Sequence, residues 1–156
     1  MITLKITILM AFIAVLQSAI LNFYPLFGKH TIDFICITVV FLSLKYGWRR
    51  GGYAGILGGF FEDSFSSAVL GCNAFSYGIV ALFTGIVSTV LYREHLSTRM
   101  MMVFAGSLVV YGINMVFQLL LTSGVTFSTS EVFQSAILNT AISPFVFYVI
   151  EKIRID

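Results

Sequence analysis

Charge is what this sequence has least of. Of its 156 residues only 10% are Asp, Glu, Lys or Arg, against 58% hydrophobic, where a soluble domain carries about 25% charged and about 45–50% apolar residues. A chain of this length buries roughly 68–70% of its surface on folding. Nine basic and seven acidic residues are too few to cover the remainder. A water-soluble globule is therefore excluded, and the mean hydropathy of +0.98 makes lipid the natural solvent.

Cysteine is nearly as scarce. Cys36 and Cys72 are the only two; they are too far apart for a CxxC redox or zinc pattern, and no His/Cys cluster accompanies them. Both are expected to be buried thiols. The basic residues are scattered and the net charge is only +2, which leaves no electrostatic footprint for nucleic acid. Catalytic patterns are missing as well: there is no GxSxG, HExxH or P-loop. No base is placed to activate any of the serines, and His30 and His95 fall at opposite faces of the topology derived below. Neither an enzyme nor a metal or cofactor site is expected.

Long apolar runs are what the sequence does have. Charged and turn-forming residues divide it into six expected spans: Ile6 to Phe23, Thr31 to Leu44, Trp48 to Phe65, Ala74 to Tyr92, Met100 to Thr122 and Val132 to Ile150. At about 20 residues per span, six consume about 120 residues, so 1–156 is expected to be one all-α transmembrane domain with no extramembrane domain. The second span, at fourteen residues, covers only about 21 Å. It is expected to borrow its flanks or to lie shielded inside the bundle. The first apolar stretch runs past Ala19-Ile20-Leu21, longer than a signal-peptide core and without a small-x-small cleavage site before Tyr24-Pro25, so a retained span is expected there.

Basic residues mark cytoplasmic loops. With the N-terminus inside, Lys5, then Lys45, Arg49 and Arg50, then Arg93 and Arg99, then Lys152 and Arg154 all fall on one side, and only Lys29 on the other. Both termini are thus expected in the cytoplasm. Tyr46, Trp48, Tyr92 and Tyr148 lie near inner ends and Phe23 and Tyr24 near the first outer end, where amphipathic rings favour the headgroup level. No internal repeat supports an inverted-repeat transporter.

Glycine supplies the most specific local pattern. Gly51, Gly55 and Gly59 recur every fourth residue, with Gly52 and Gly58 beside them. This doubled GxxxG face lets a second helix approach closely enough for van der Waals packing, the main associative force in lipid; the partner could be another protein or a helix of this chain. The stripe ends in Glu62 and Asp63, the latter about 22 Å along the helix from Trp48. Intramembrane acids are functional candidates by default. Three roles stay open for these: capping the outer hairpin, pairing with a partner, or relaying protons, which would lack a second station because Asp33, Glu131 and Glu151 lie near span ends. Tyr111, Asn114 and Gln118, and then Ser135, Asn139 and Ser143, form polar stripes expected to glue the last two spans together. Pro144 is expected to kink the sixth span and to free a carbonyl near Thr140 for a polar neighbour. Ser123 to Ser130 reads as an uncharged outer hairpin.

The stretch from Asp33 to Tyr77 resembles the rod shape-determining protein MreD family, which has a second span opening on an acid, a short basic turn, a glycine-rich span of the form G-x3-G-f-x-x-D, and then L-G-x-x-A-x-x-Y. The matching residues are Asp33-Phe34, Gly47, Gly52, Gly55, Gly59-Phe-Phe-Glu-Asp63, Leu70-Gly71, Ala74 and Tyr77. Ile32 stands where the family usually has proline, and Glu62 adds a second acid. The resemblance implies a non-enzymatic scaffold in the bacterial inner membrane that binds the bitopic protein MreC. Through that complex it would connect MreB filaments to RodA and a class B penicillin-binding protein. It also implies a fold similar to the S component of energy-coupling-factor transporters, so a vitamin-binding S component is the alternative function. On this reading the partner-binding residues are Gly51, Gly55, Gly59, Glu62, Asp63, Asp33, Leu70 and Gly71.

Overall fold

A computed structural model of the chain describes residues 2–23, 32–65, 70–89, 95–121 and 129–152. Among these residues lie five helices: α1 (Ile2–Phe23), α2 (Phe34–Phe65), α3 (Cys72–Val87), α4 (Leu96–Leu121) and α5 (Thr129–Lys152). Three stretches are long and apolar enough to cross a membrane by length and composition, Ile2–Ala19, Leu96–Leu121 and Ser130–Lys152, where six spans were expected. The shortfall has a physical reason. The second and third expected spans join into α2, whose middle carries Lys45, Arg49 and Arg50, and α3 is apolar but only 16 residues long, about 24 Å.

α2 is not a straight rod. Gly47, at φ 81° and ψ 176°, leaves helical geometry in a region that is essentially reserved for glycine. Ile35 and Gly58 are 23 residues apart and would stand about 35 Å from each other along a continuous helix. Instead, a Cβ on Gly58 would meet the Ile35 Cγ2 at 2.8 Å, and one on Gly51 would collide with Ser43. The two arms, 34–46 and 48–65, therefore fold back antiparallel about Gly47.

The first arm forms the centre of the bundle. Every residue from Ile35 to Leu44 is buried, as befits a helix apolar on all sides and as expected for a span too short to face lipid. α1 packs against α2 through Ile6, Met10, Ala14 and Gln17, leaving Leu4, Ile8 and Phe12 exposed. Phe41 stacks on Phe147 of α5 at 5.3 Å between centroids. Arg99, opening α4, pairs with Glu151, ending α5, at 2.7 Å.

Apolar side chains fill the core and also stand on the surface, and several polar groups lie inside. Large apolar side chains such as Phe60, Phe83, Leu120 and Phe145 stand exposed, while Asp33, Asp63, Asn73, Ser107 and Asn139 are buried. Lipid on the outside accounts for both, because polar groups then find partners only within the bundle. Cys36 and Cys72 are free and buried, as expected. α5 continues through Pro144; the carbonyl of Thr140, deprived of its donor by the proline, accepts the Ser143 hydroxyl at 2.8 Å. Lys29, His30, Arg93, Arg154 and most of the expected hairpin at Ser123 to Ser130 lie outside the described residues.

Candidate functional site

The hairpin in α2 brings its two ends together. Asp33 precedes Gly47 by fourteen residues and Glu62 follows it by fifteen, so arms rising about 1.5 Å per residue set the two acids at the same level. Asp33 caps α2: its Oδ1 accepts from the Cys36 amide at 2.8 Å, satisfying one of the orphan donors of a helix start. Its Oδ2 lies 2.7 Å from the Tyr77 hydroxyl, and that same hydroxyl is 2.5 Å from Glu62 Oε2. A phenol has one hydrogen to offer. One donor thus stands between two carboxyl oxygens.

The cluster spreads from there to every helix. Gln17 of α1 donates from Nε2 to Glu62 Oε1 at 3.1 Å and accepts the Ile35 amide on Oε1 at 3.2 Å. Asn139 of α5 accepts the Asp33 amide at 2.9 Å and donates to Ser107 of α4 at 3.1 Å. Side chains from α1, α2, α3, α4 and α5 therefore share one polar knot around the start of the central arm.

Asp63 plays a different part. Its carboxylate accepts from the backbone amides of Gly71 at 2.8 Å, Asn73 at 3.2 Å and Ala74 at 3.3 Å. These are amides of the first turn of α3, which lacks a cap from its own Gly71; a carboxylate there also meets the positive end of the helix dipole. Of the three roles left open, capping the outer hairpin describes Asp63, whereas Glu62 is tied to the interior. A third polar group joins α3 to α4: Asn114 Nδ2 donates to Asn73 Oδ1 at 2.8 Å, and the Ser76 hydroxyl lies 3.0 Å from Asn114 Oδ1.

The glycine stripe is occupied by the chain itself. A Cβ on Gly55 would stand 2.6 Å from the Tyr77 carbonyl oxygen and 3.2 Å from Ala81 Cβ, and one on Gly59 would run into the backbone of Asn73 and Ala74. Gly51 faces Ser43 across the hairpin. Of the two occupants left open for the stripe, a helix of this chain takes the place at Gly55 and Gly59, and the other arm of the hairpin takes it at Gly51. In lipid, backbone contact is the closest packing obtainable, and α3 has already taken it. Asp33, Glu62 and Asp63 are likewise engaged internally. Of the expected partner-binding residues only Leu70, 70% exposed, and Gly71 stand at the surface.

Two further expectations change. The stripes on α4 and α5 do not simply bind each other, because Asn114 turns to α3 and Asn139 links Ser107 to the Asp33 backbone. And Asp33, placed near a span end by sequence, is a second buried acid in reach of Glu62 through Tyr77. Gln17, Asn73, Tyr77, Ser107 and Asn139 take part in the cluster without having been assigned to the site from sequence, Tyr77 having been named only as a match in the resemblance; the available signal was the general one that polar groups among apolar residues in a span need partners.

Fold and site together define an all-helical protein with three membrane-length apolar helices and a cluster of polar side chains buried in an otherwise apolar core. No family model, curated protein or solved structure matches the chain.

Proposed function

We propose that this protein is a membrane-embedded, non-enzymatic scaffold of the MreD kind, seated in a bacterial cytoplasmic membrane with both termini on the cytoplasmic side. The observation that carries the reading is the convergence of the residues on which the MreD resemblance rests. Asp33 accepts from Tyr77, Gly55 lies on Tyr77 and Gly59 on Ala74, and Asp63 holds the amides of Gly71 and Ala74. Residues spread over 45 positions of sequence form one junction between α2 and α3. Their spacing thus has a common physical purpose, which supports treating the resemblance as more than composition.

The polar groups of this junction are turned toward one another rather than toward a ligand, which favours holding helices in place over chemistry. A partner such as the single helix of MreC would then meet the outward side of the same junction, where Leu70 and Phe75 are exposed. MreB, RodA and a class B penicillin-binding protein would be reached through that complex. The test is photo-crosslinking in rod-shaped cells with a benzophenone amino acid at Leu70 or Phe75, compared with Ile8 on α1. Adducts to MreC at the first two positions and not at the third are expected. Equal labelling at all three, or none to MreC, overturns the docking surface; native mass spectrometry finding a stoichiometric vitamin would replace the scaffold by the S-component alternative.

A further inference from the structure

The acids gather at the open end of the α2 hairpin and the bases at its turn. The turn about Gly47 carries Lys45, Arg49 and Arg50, all exposed. Each is seated on an aromatic ring: the Lys45 ammonium lies 5.3 Å from the Tyr46 centroid, the Arg49 guanidinium 5.2 Å from Trp48, and the Arg50 guanidinium 5.7 Å from Tyr46. Among the described residues none of the three pairs with a carboxylate; Glu151, at the same end, is taken by Arg99. Cations held over rings lose less freedom on binding an anion than cations on free side chains.

The position of the turn selects the anion. Tyr53 and Ile56, on the next turns of the second arm, are exposed apolar or amphipathic side chains. Gly85 lies against the backbone of Trp48, so α3 runs beside the turn, where its Leu82 and Ile86 are exposed, while Tyr53 reaches the Thr7 hydroxyl of α1 at 3.0 Å. The three cations therefore stand beside exposed apolar side chains, together with Tyr46 and the 47% exposed Trp48, the kind of amphipathic rings that favour the headgroup level. An anion meeting both features has a phosphate at the cations and acyl chains along the apolar side chains. We propose that the Lys45–Arg50 turn is a binding site for an anionic phospholipid headgroup, with the guanidinium forks of Arg49 and Arg50 engaging the phosphodiester. The assignment does not depend on the scaffold reading.

The experiment uses the full chain in a mild non-ionic detergent, with phosphatidylglycerol or phosphatidylcholine titrated in and retained lipid read by native mass spectrometry. Each cation near an anionic lipid surface is worth about fivefold in affinity. Preferential retention of phosphatidylglycerol is expected in the natural protein. Replacement of Lys45, Arg49 and Arg50 together by Gln should weaken that preference by at least about tenfold, and Arg50→Gln alone by about fivefold; the latter stays informative if the triple variant does not fold. R49K/R50K, which keeps the charge and loses the fork, should retain part of the preference. Equal retention of the two lipids, or an unchanged preference in both Gln variants, overturns the site. Displacement of phosphatidylglycerol by inorganic phosphate overturns the lipid as its occupant in favour of a free anion.

Discussion

Gly55 and Tyr77 touch backbone to backbone: a Cβ on Gly55 would lie 2.6 Å from the Tyr77 carbonyl oxygen and 2.9 Å from its carbonyl carbon. A side chain at Gly55 must push α3 away, and Tyr77 moves with α3, carrying its hydroxyl off Asp33 and Glu62. Packing and the polar knot are thus coupled through one residue. Gly55→Ala is expected to destabilise the protein by about 1–3 kcal/mol, the range of overpacked interiors, despite the better helix propensity of alanine. Gly112, exposed on α4 with open space around it, is the control: Gly112→Ala should stabilise by up to about 1 kcal/mol. Thermal unfolding in detergent, followed by loss of the monodisperse species, reads both.

Removing the hydroxyl alone separates hydrogen bonding from packing. Tyr77→Phe keeps the ring and leaves Asp33 Oδ2 and Glu62 Oε2 without their shared donor. The expected loss is about 1–2 kcal/mol, between the small average for intramembrane hydrogen bonds and the penalty of a stranded buried acceptor. Glu62→Gln acts in the opposite sense, since it adds an amide donor where one hydroxyl hydrogen faces two acceptors. It should be tolerated within about 0.5 kcal/mol, whereas Glu62→Ala takes the acceptor from the Gln17 amide donor and should cost about 1–2 kcal/mol, although Tyr77 keeps Asp33 as its acceptor. Equilibrium unfolding of the three variants side by side is the measurement.

Loss of the Asp63 carboxylate should be felt locally. Asp63→Ala removes the acceptor for three amides at the start of α3 and is expected to cost about 0.5–2 kcal/mol, as for a deleted helix cap. Hydrogen exchange at Gly71, Asn73 and Ala74 should accelerate, by about tenfold for each 1.4 kcal/mol of local stability lost. Amides in the middle of α4 should exchange unchanged.

The hairpin depends on Gly47. At φ 81° and ψ 176° an alanine is strained by about 1–3 kcal/mol, and relief lies in opening the turn. Gly47→Ala should therefore loosen the contact between Ser43 and Gly51 and lower the thermal midpoint. Trp48, the single tryptophan, stands next to the turn, so a shift in its emission maximum provides the local readout.

Orientation is testable by labelling. Cysteine placed at Leu70 or at Arg50, both exposed, should react with a membrane-impermeant maleimide from opposite sides: Leu70→Cys in intact spheroplasts, Arg50→Cys only after lysis. The native thiols are buried and should contribute little background. The same sidedness at both positions would refute an odd number of crossings between them.

Much of this was readable in one dimension because lipid simplifies the rules. The scarcity of charge and the apolar runs have one physical meaning in a membrane, and of the two ways open to the short second stretch, borrowing its flanks or lying shielded inside the bundle, the buried arm takes the second. Pro144 was legible for the same reason: a missing donor leaves a carbonyl that must find a partner, and Ser143 supplies it. The glycine stripe was half legible. Its pattern said that a helix lies against it, but small residues carry no label for the helix that comes.

Composition and hydrophobic period mark this protein as helical, apolar outside and poor in surface charge, because they fix how a chain divides itself between water and lipid. That α3 covers Gly55 and Gly59, that Asp63 caps α3 while Glu62 turns inward, and that Asp33 meets Glu62 at Tyr77 come from the folded path. Those outcomes follow from the fold at Gly47, which superimposes two arms of nearly equal length, and a distance of that kind is a property of the folded path rather than of any local stretch of residues.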